Sequence, residues 1–207
     1  MEDVERVKAE ALQIMGVFSL LPRLVVFDLD YTLWPFYCEC RSKHDTPSLF
    51  PHSRGILHAL KQERIDVAIA SKSPTPDIAT TYLDKLSIRS MFAAEEIFYT
   101  WKDKTEHFQR IHSKTGVPYN SMLFFDDDNN NIPGASELGV TSILVRNGVN
   151  LGAFRDGLTK FSQNKDASKK NRPKRPKTTS IDDFKSVASI TPNSQEENLS
   201  VPGAFLI

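Results

Sequence analysis

The chain has 207 residues, 40% apolar and 25% charged, and its 26 basic and 26 acidic side chains balance. That is the composition of a globular protein with one ordinary domain and some length over. Zero net charge leaves no whole-molecule field to gather nucleic acid or an anionic membrane surface. No apolar run approaches the roughly 20 residues that cross a bilayer.

The N-terminus is acidic (Glu2, Asp3, Glu5), which speaks against a secretory signal or a transit peptide. Apolar positions Val4, Val7, Ala11, Ile14, Met15 and Phe18 predict an amphipathic helix packed on the domain, closed by Pro22. Residues 24–27 are wholly apolar and rich in valine, the mark of a strand buried on both faces. A polar loop with Pro35, Pro47 and Pro51 follows. It holds the only cysteines, Cys38 and Cys40, whose spacing is awkward for a mutual disulfide and predicts a reduced, intracellular compartment. A Cys-x-Cys metal site would need His44 or His52 as well; ordinary thiols beside a loop are the favoured reading.

The pattern then alternates. A helix is predicted over 53–63, a strand over 67–70, and a helix from Thr75-Pro76 with Ile78, Tyr82, Leu83 and Leu86 on one face. Next come a strand over 97–99, a helix over 103–114 ending near Gly116, a strand over 122–125, a short helix, and a strand over 141–145. Alternating strands and helices mean a parallel sheet covered on both faces, an α/β fold of three layers. From residue 163 onward a basic cluster (Lys169, Lys170, Arg172, Lys174, Arg175, Lys177) gives way to a polar stretch. Such a segment buries too little to offset its ordering entropy and is expected to be disordered. The cluster is read as a solvated tail, with a nuclear-localisation or polyanion-binding patch as the alternative. The expected layout is thus an N-terminal helix over 1–20, a domain over 21–162 and a tail over 163–207.

Ligands of an open parallel sheet sit beyond the carboxyl ends of its strands. Three predicted strands run there into Asp28-Leu29-Asp30-Tyr31-Thr32, Ser71-Lys72 and Asp126-Asp127-Asp128. One such aspartate is more often a turn or cap residue. A whole set on one edge repels itself unless a hard cation such as Mg²⁺ neutralises it.

The run Phe27-Asp28-Leu29-Asp30-Tyr31-Thr32-Leu33-Trp34-Pro35-Phe36 resembles the first motif of the haloacid dehalogenase superfamily, in its magnesium-dependent phosphatase subgroup. Thr115-Gly116-Val117-Pro118 and Phe124-Phe125-Asp126-Asp127 are similar to the same subgroup, and the resemblance spans about residues 20–160. It implies a Rossmann-like fold and a phosphatase acting through a phosphoaspartate. Asp28 would be the nucleophile and Asp30 the general acid and base. Leu29, Asp30, Tyr37, Ser71, Lys72 and Lys104 would bind substrate or phosphate. Mg²⁺ would be held by Asp28, Asp127 and the backbone carbonyl of Asp30, with Asp126 either standing behind these ligands or a lesser ligand itself, and Asp128 a helix cap. Lys104 is preferred to Lys102 because Lys104-Thr105-x-His107-Phe108 keeps the subgroup's spacing. Lys72 stands where relatives often carry arginine, and lysine lacks the bidentate fork for phosphate.

Roughly 40 residues separate Asp30 from Ser71, and about 30 separate Ser71 from Lys104; neither interval has room for a cap domain of at least about 50 residues. An open site is therefore expected, with residues 34–51 its only flap. Trp34, Phe36 and Tyr37 are candidates for an aromatic wall, Trp34 more simply packing beneath the flap. The resemblance implies phosphotyrosine-like substrates, including phosphoproteins, or sugar phosphates of the fructosamine type. A monomer is expected, cytoplasmic and also nuclear if the basic cluster acts as a signal. Rival readings are a dehalogenase, which would need no acid at Asp30, a phosphotransferase, and a silent scaffold.

Overall fold

The computed structural model describes residues 2–170. Five strands form one parallel sheet in the order β3-β2-β1-β4-β5. They are β1 (Leu24–Phe27), β2 (Asp66–Ser71), β3 (Phe92–Ile97), β4 (Met122–Asp126) and β5 (Thr141–Leu144). The helices are α1 (Glu2–Gly16), α2 (Ser53–Gln62), α3 (Pro76–Lys85), α4 (Thr105–Thr115), α5 (Asn131–Glu137) and α6 (Leu151–Lys170).

Period-two alternation sorts the strand side chains between two cores. Val25, Phe27, Val67, Ile69, Leu123 and Phe125 join α1, α2, α3 and α6 on one face. Leu24, Val26, Ala68, Met122 and Phe124 join α4 and α5 on the other. β1 is central, between β2 and β4, so all four of its residues are buried. That is why it reads as an unbroken apolar run. α4 stops where the sequence predicts, at Gly116, whose φ of 66° is the left-handed cap that glycine takes without strain.

Two elements differ from the sequence-based expectation. β3 lies at 92–97 rather than 97–99. It is an edge strand that carries Glu95 and Glu96, so the apolar signal of a buried strand is missing. α6 continues to Lys170, past the expected end of the domain at 162. Phe154, Leu158 and Phe161 are buried beneath it. Beyond them Asn164 donates from Nδ2 to Thr141 Oγ1 at 3.0 Å, and Lys165 Nζ lies 3.3 Å from Ser121 Oγ. The expectation of a disordered tail otherwise concerns residues outside the described ones. Between β1 and α2 there is only a loop with one 3-10 turn, and between β2 and β3 only α3 and a second 3-10 turn. No cap domain interrupts the described residues, as expected.

The loop after β1 is tied down rather than free. Trp34 stacks on Phe36 at 5.5 Å, and both meet the ring edge of Tyr82 on α3. The Tyr82 hydroxyl donates to Ser42 O, and Lys85 Nζ donates to the carbonyls of Lys43 and Asp45.

α1 and α2 approach closely at Gly55, where a Cβ would lie 2.6 Å from Val7 Cγ1 and 3.0 Å from the Lys8 backbone nitrogen. Gly55→Ala should therefore destabilise the domain by about 1–3 kcal/mol, measured by urea unfolding, although the substitution raises helix propensity.

Candidate active site

β1 gives out at Phe27, which is in register with Phe125 of β4. Asp28 and Asp126 each follow directly, so the pairing places them side by side; the Asp28 N–H still donates to Phe125 O at 3.0 Å. Lys104, the residue before α4, reaches between them. Its ammonium donates to Asp28 Oδ1 and to Asp126 Oδ2, both at 2.6 Å, and only 1% of its side chain is exposed. Lys102 is exposed and takes no part.

Asp126 is already fully engaged. It also accepts from Asn131 Nδ2 and, at 2.7 Å, from the Asp128 N–H. Asp128 in turn accepts from the Asn130 N–H and side chain. It thus shapes the turn into α5 but does not cap the helix as expected, since Asn130 stands at the N-cap. Asp127, by contrast, lines the cleft.

Oxygens of Asp28, Asp126 and Asp127 all lie within 4.8 Å of one another. Three carboxylates against one ammonium leave two negative charges in a half-buried cluster. An all-oxygen donor set with that imbalance fits a hard divalent cation. The strain appears in the acidities. Burial pushes Asp28 up to about 8, with Asp126 and Asp127 adding to it and Lys104 opposing. Burial and Asp126 push Asp127 up to about 6. Burial acts to lower Lys104, but Asp28 and Asp126 outweigh it and hold the ammonium above its ordinary value.

Asp30 stands half-buried at the mouth, with both oxygens held by the loop. The buried Trp34 indole donates to Oδ1 at 2.7 Å, and the Cys38 N–H donates to Oδ2 at 3.2 Å. Trp34 is therefore not an aromatic wall; it packs under the flap and grips Asp30. Tyr37 is exposed, and its ring meets Tyr31 edge-on at 4.6 Å. Ser71 ends β2, buried, and its carbonyl lies 2.9 Å from Nε2 of the buried His107. Burial lowers His107 to about 4, so it is neutral and Nε2–H is the donor. Lys72 is partly exposed, 3.6 Å from Asp128 Oδ2.

An open cleft of about 280 Å³ gathers Asp28, Asp30, Tyr37, Ser71, Lys72, Lys104 and Asp127. These are the expected residues except Leu29, whose side chain is in the core and which can offer only its backbone. Glu39, Ser73, Tyr99 and Asn131 also line it and were not anticipated. Ser73 had a signal, a second hydroxyl after the strand; Asn131 reaches the site only through a turn whose shape the sequence does not display.

An open parallel sheet bearing this acid–lysine cluster at its carboxyl edge defines a haloacid-dehalogenase-like hydrolase. The model of the acid phosphatase family matches residues 20–164, and the chain belongs to that family. It is 35% identical over 158 residues to human magnesium-dependent phosphatase 1, covering 69% of this chain and 89% of that protein. It is 31% identical over 159 residues to a HAD-like hydrolase superfamily protein of Schizosaccharomyces pombe, covering 64% and 92%. The crystal structure of a HAD-superfamily hydrolase from Ehrlichia chaffeensis shares the fold, with a TM-score of 0.55 at 14% identity over 70% of this chain and 99% of that one.

A carboxyl held above its unfolded value binds its proton more tightly in the folded chain. Its contribution to stability is full below the unfolded value of about 4 and is lost as pH rises through the folded one. For Asp28 and Asp127 that loss runs from about pH 4 to about 8. A bound cation stabilises the ionised forms, so Mg²⁺ should raise the melting temperature of metal-free protein more at pH 8 than at pH 5. Calorimetric scans at the two pH values check this; equal increments would contradict the assignment.

Proposed function

We propose that this chain is a magnesium-dependent phosphatase that hydrolyses phosphate monoesters through a phosphoaspartate on Asp28. The observation that carries the reading is the Lys104 ammonium bridging Asp28 and Asp126, with Asp30 two residues on at the mouth of the same cleft.

The Asp28 oxygen not bonded to Lys104 attacks phosphorus, forming an O–P bond while the ester P–O bond breaks. Asp30 gives its proton to the departing oxygen, and the alcohol leaves. Asp30, now a carboxylate, takes a proton from water. The hydroxide attacks phosphorus, the bond to Asp28 breaks, and inorganic phosphate leaves with Asp30 again protonated. Lys104 offsets the repulsion between nucleophile and phosphoryl oxygens, and the Ser71 hydroxyl donates to those oxygens. Asp28, Asp127 and the Asp30 carbonyl would hold the Mg²⁺, whose bound charge neutralises and orients the transferring group. Asp126 instead fixes Lys104.

The open cleft supports phosphotyrosine-like substrates, including phosphorylated protein side chains, and sugar phosphates of the fructosamine type. No helix among the described residues is long and apolar enough to cross a membrane. Both cysteines are free, which supports a reducing, cytoplasmic setting.

Asp28→Asn should reduce turnover of an aryl phosphate by about a thousandfold or more, and chelation should stop the wild-type reaction until Mg²⁺ is returned. Retained activity in the first case removes Asp28 as nucleophile; full rates in chelator remove the metal. Trp34→Phe deletes the indole donor to Asp30. It should lower kcat/KM by about tenfold for an alkyl phosphate, which needs the proton on its leaving oxygen. It should do so far less for 4-nitrophenyl phosphate, which does not. Equal losses would mean that Trp34 serves only packing.

A further inference from the structure

The reaction assigns the phosphoryl group but not the place of the leaving group. Beside the catalytic cleft lies a second hollow of about 440 Å³, sharing Tyr37 and Asp127 with it and completed by Tyr31, Leu144, Val145 and Arg146. Three independent features mark it.

The first is Tyr31, with φ of 54°. Of the other non-glycine residues with positive φ, Arg64 and Ser87, each follows the end of a helix, where a left-handed residue closes the last turn. Tyr31 ends no helix, and its bulky side chain is disfavoured in a conformation that glycine takes freely. The strain holds its ring at the surface, 38% exposed, edge-on to Tyr37. The second is apolar exposure. Seven large hydrophobic residues are exposed among the described ones, and three of them, Tyr31, Tyr37 and Leu144, line this one hollow. The third is charge. Arg146, exposed just past β5, is the cation that lines this hollow. Lys72, the partly exposed cation of the catalytic cleft, faces Asp128 instead.

We propose that this hollow is the leaving-group subsite: an aromatic body lies against Tyr31, Tyr37 and Leu144, and a carboxylate on it pairs with the Arg146 guanidinium. The assignment rests on the phosphatase reading and adds a preference for acidic aryl phosphate esters.

Two esters that differ by one charge test it: N-acetylphosphotyrosine, with its free carboxylate, and the corresponding carboxamide, with acetyl phosphate as a substrate lacking any aryl group. At low ionic strength kcat/KM should favour the carboxylate by about threefold to fivefold, the worth of one exposed ion pair. The preference should shrink in high salt. Arg146→Gln should bring the ratio to about one and Arg146→Glu should invert it. Tyr31→Gly should raise KM for both aryl esters relative to acetyl phosphate. A wild-type ratio of one, or a ratio unmoved by Arg146→Gln, overturns the subsite while turnover of all three compounds leaves the phosphatase reading standing. Failure to hydrolyse any of them would sink that reading and the subsite with it.

Discussion

A lysine ammonium buried between two carboxylates holds three parts of this chain together. Lys104 stands before α4, Asp28 follows the central strand, and Asp126 ends the neighbouring one. Removing such a charge from water costs several kcal/mol, recovered only where partners meet it at short range from more than one side. Here they do, because β1 and β4 pair in register and stop together. Asn131 and the Asp128 amide then complete the coordination of Asp126, so the turn into α5 is shaped by the same ion. Site and fold are in this sense one construction: the cluster is in place only if three separate chain segments are.

The acidity of the cluster follows from its design. With a single cation for three acids, the site is at rest only when a proton or a metal supplies what is missing. Burial makes the proton hold strongly at Asp28 and a divalent ion hold better still once the carboxyl is ionised. The charge on Asp28 thereby depends on what else occupies the cleft.

Much of this was legible in the chain itself, for identifiable reasons. Strands buried on both faces announce themselves as apolar runs, and their ends are visible where aspartate or serine interrupts them. Hence Asp28, Ser71 and Asp127 could be placed at strand ends from the sequence, whereas only the resemblance to the phosphatase subgroup separated Lys104 from Lys102. What was hidden depends on three-dimensional direction. Trp34 looks like any aromatic in a loop until its indole is seen on Asp30. The left-handed backbone at Tyr31 leaves no trace in a tyrosine. Nor does composition show that the basic, polar residues after 163 begin on a helix whose earlier turns carry Phe154 and Phe161.

β3 shows how an obstacle to reading a sequence can be a requirement of the molecule. Its glutamates conceal it because they are wrong for a buried strand, yet it is an outermost strand, with a row of amides and carbonyls unsatisfied on one side. Glu95 is engaged by Arg89 and Glu96 by Lys114. The partly exposed Glu95 makes the margin of the sheet a poor template for a further strand, which would have to strip that charge of water and partner to pair there. The charges that disguise the strand in the sequence are thus the same ones that suit it to the border of the sheet.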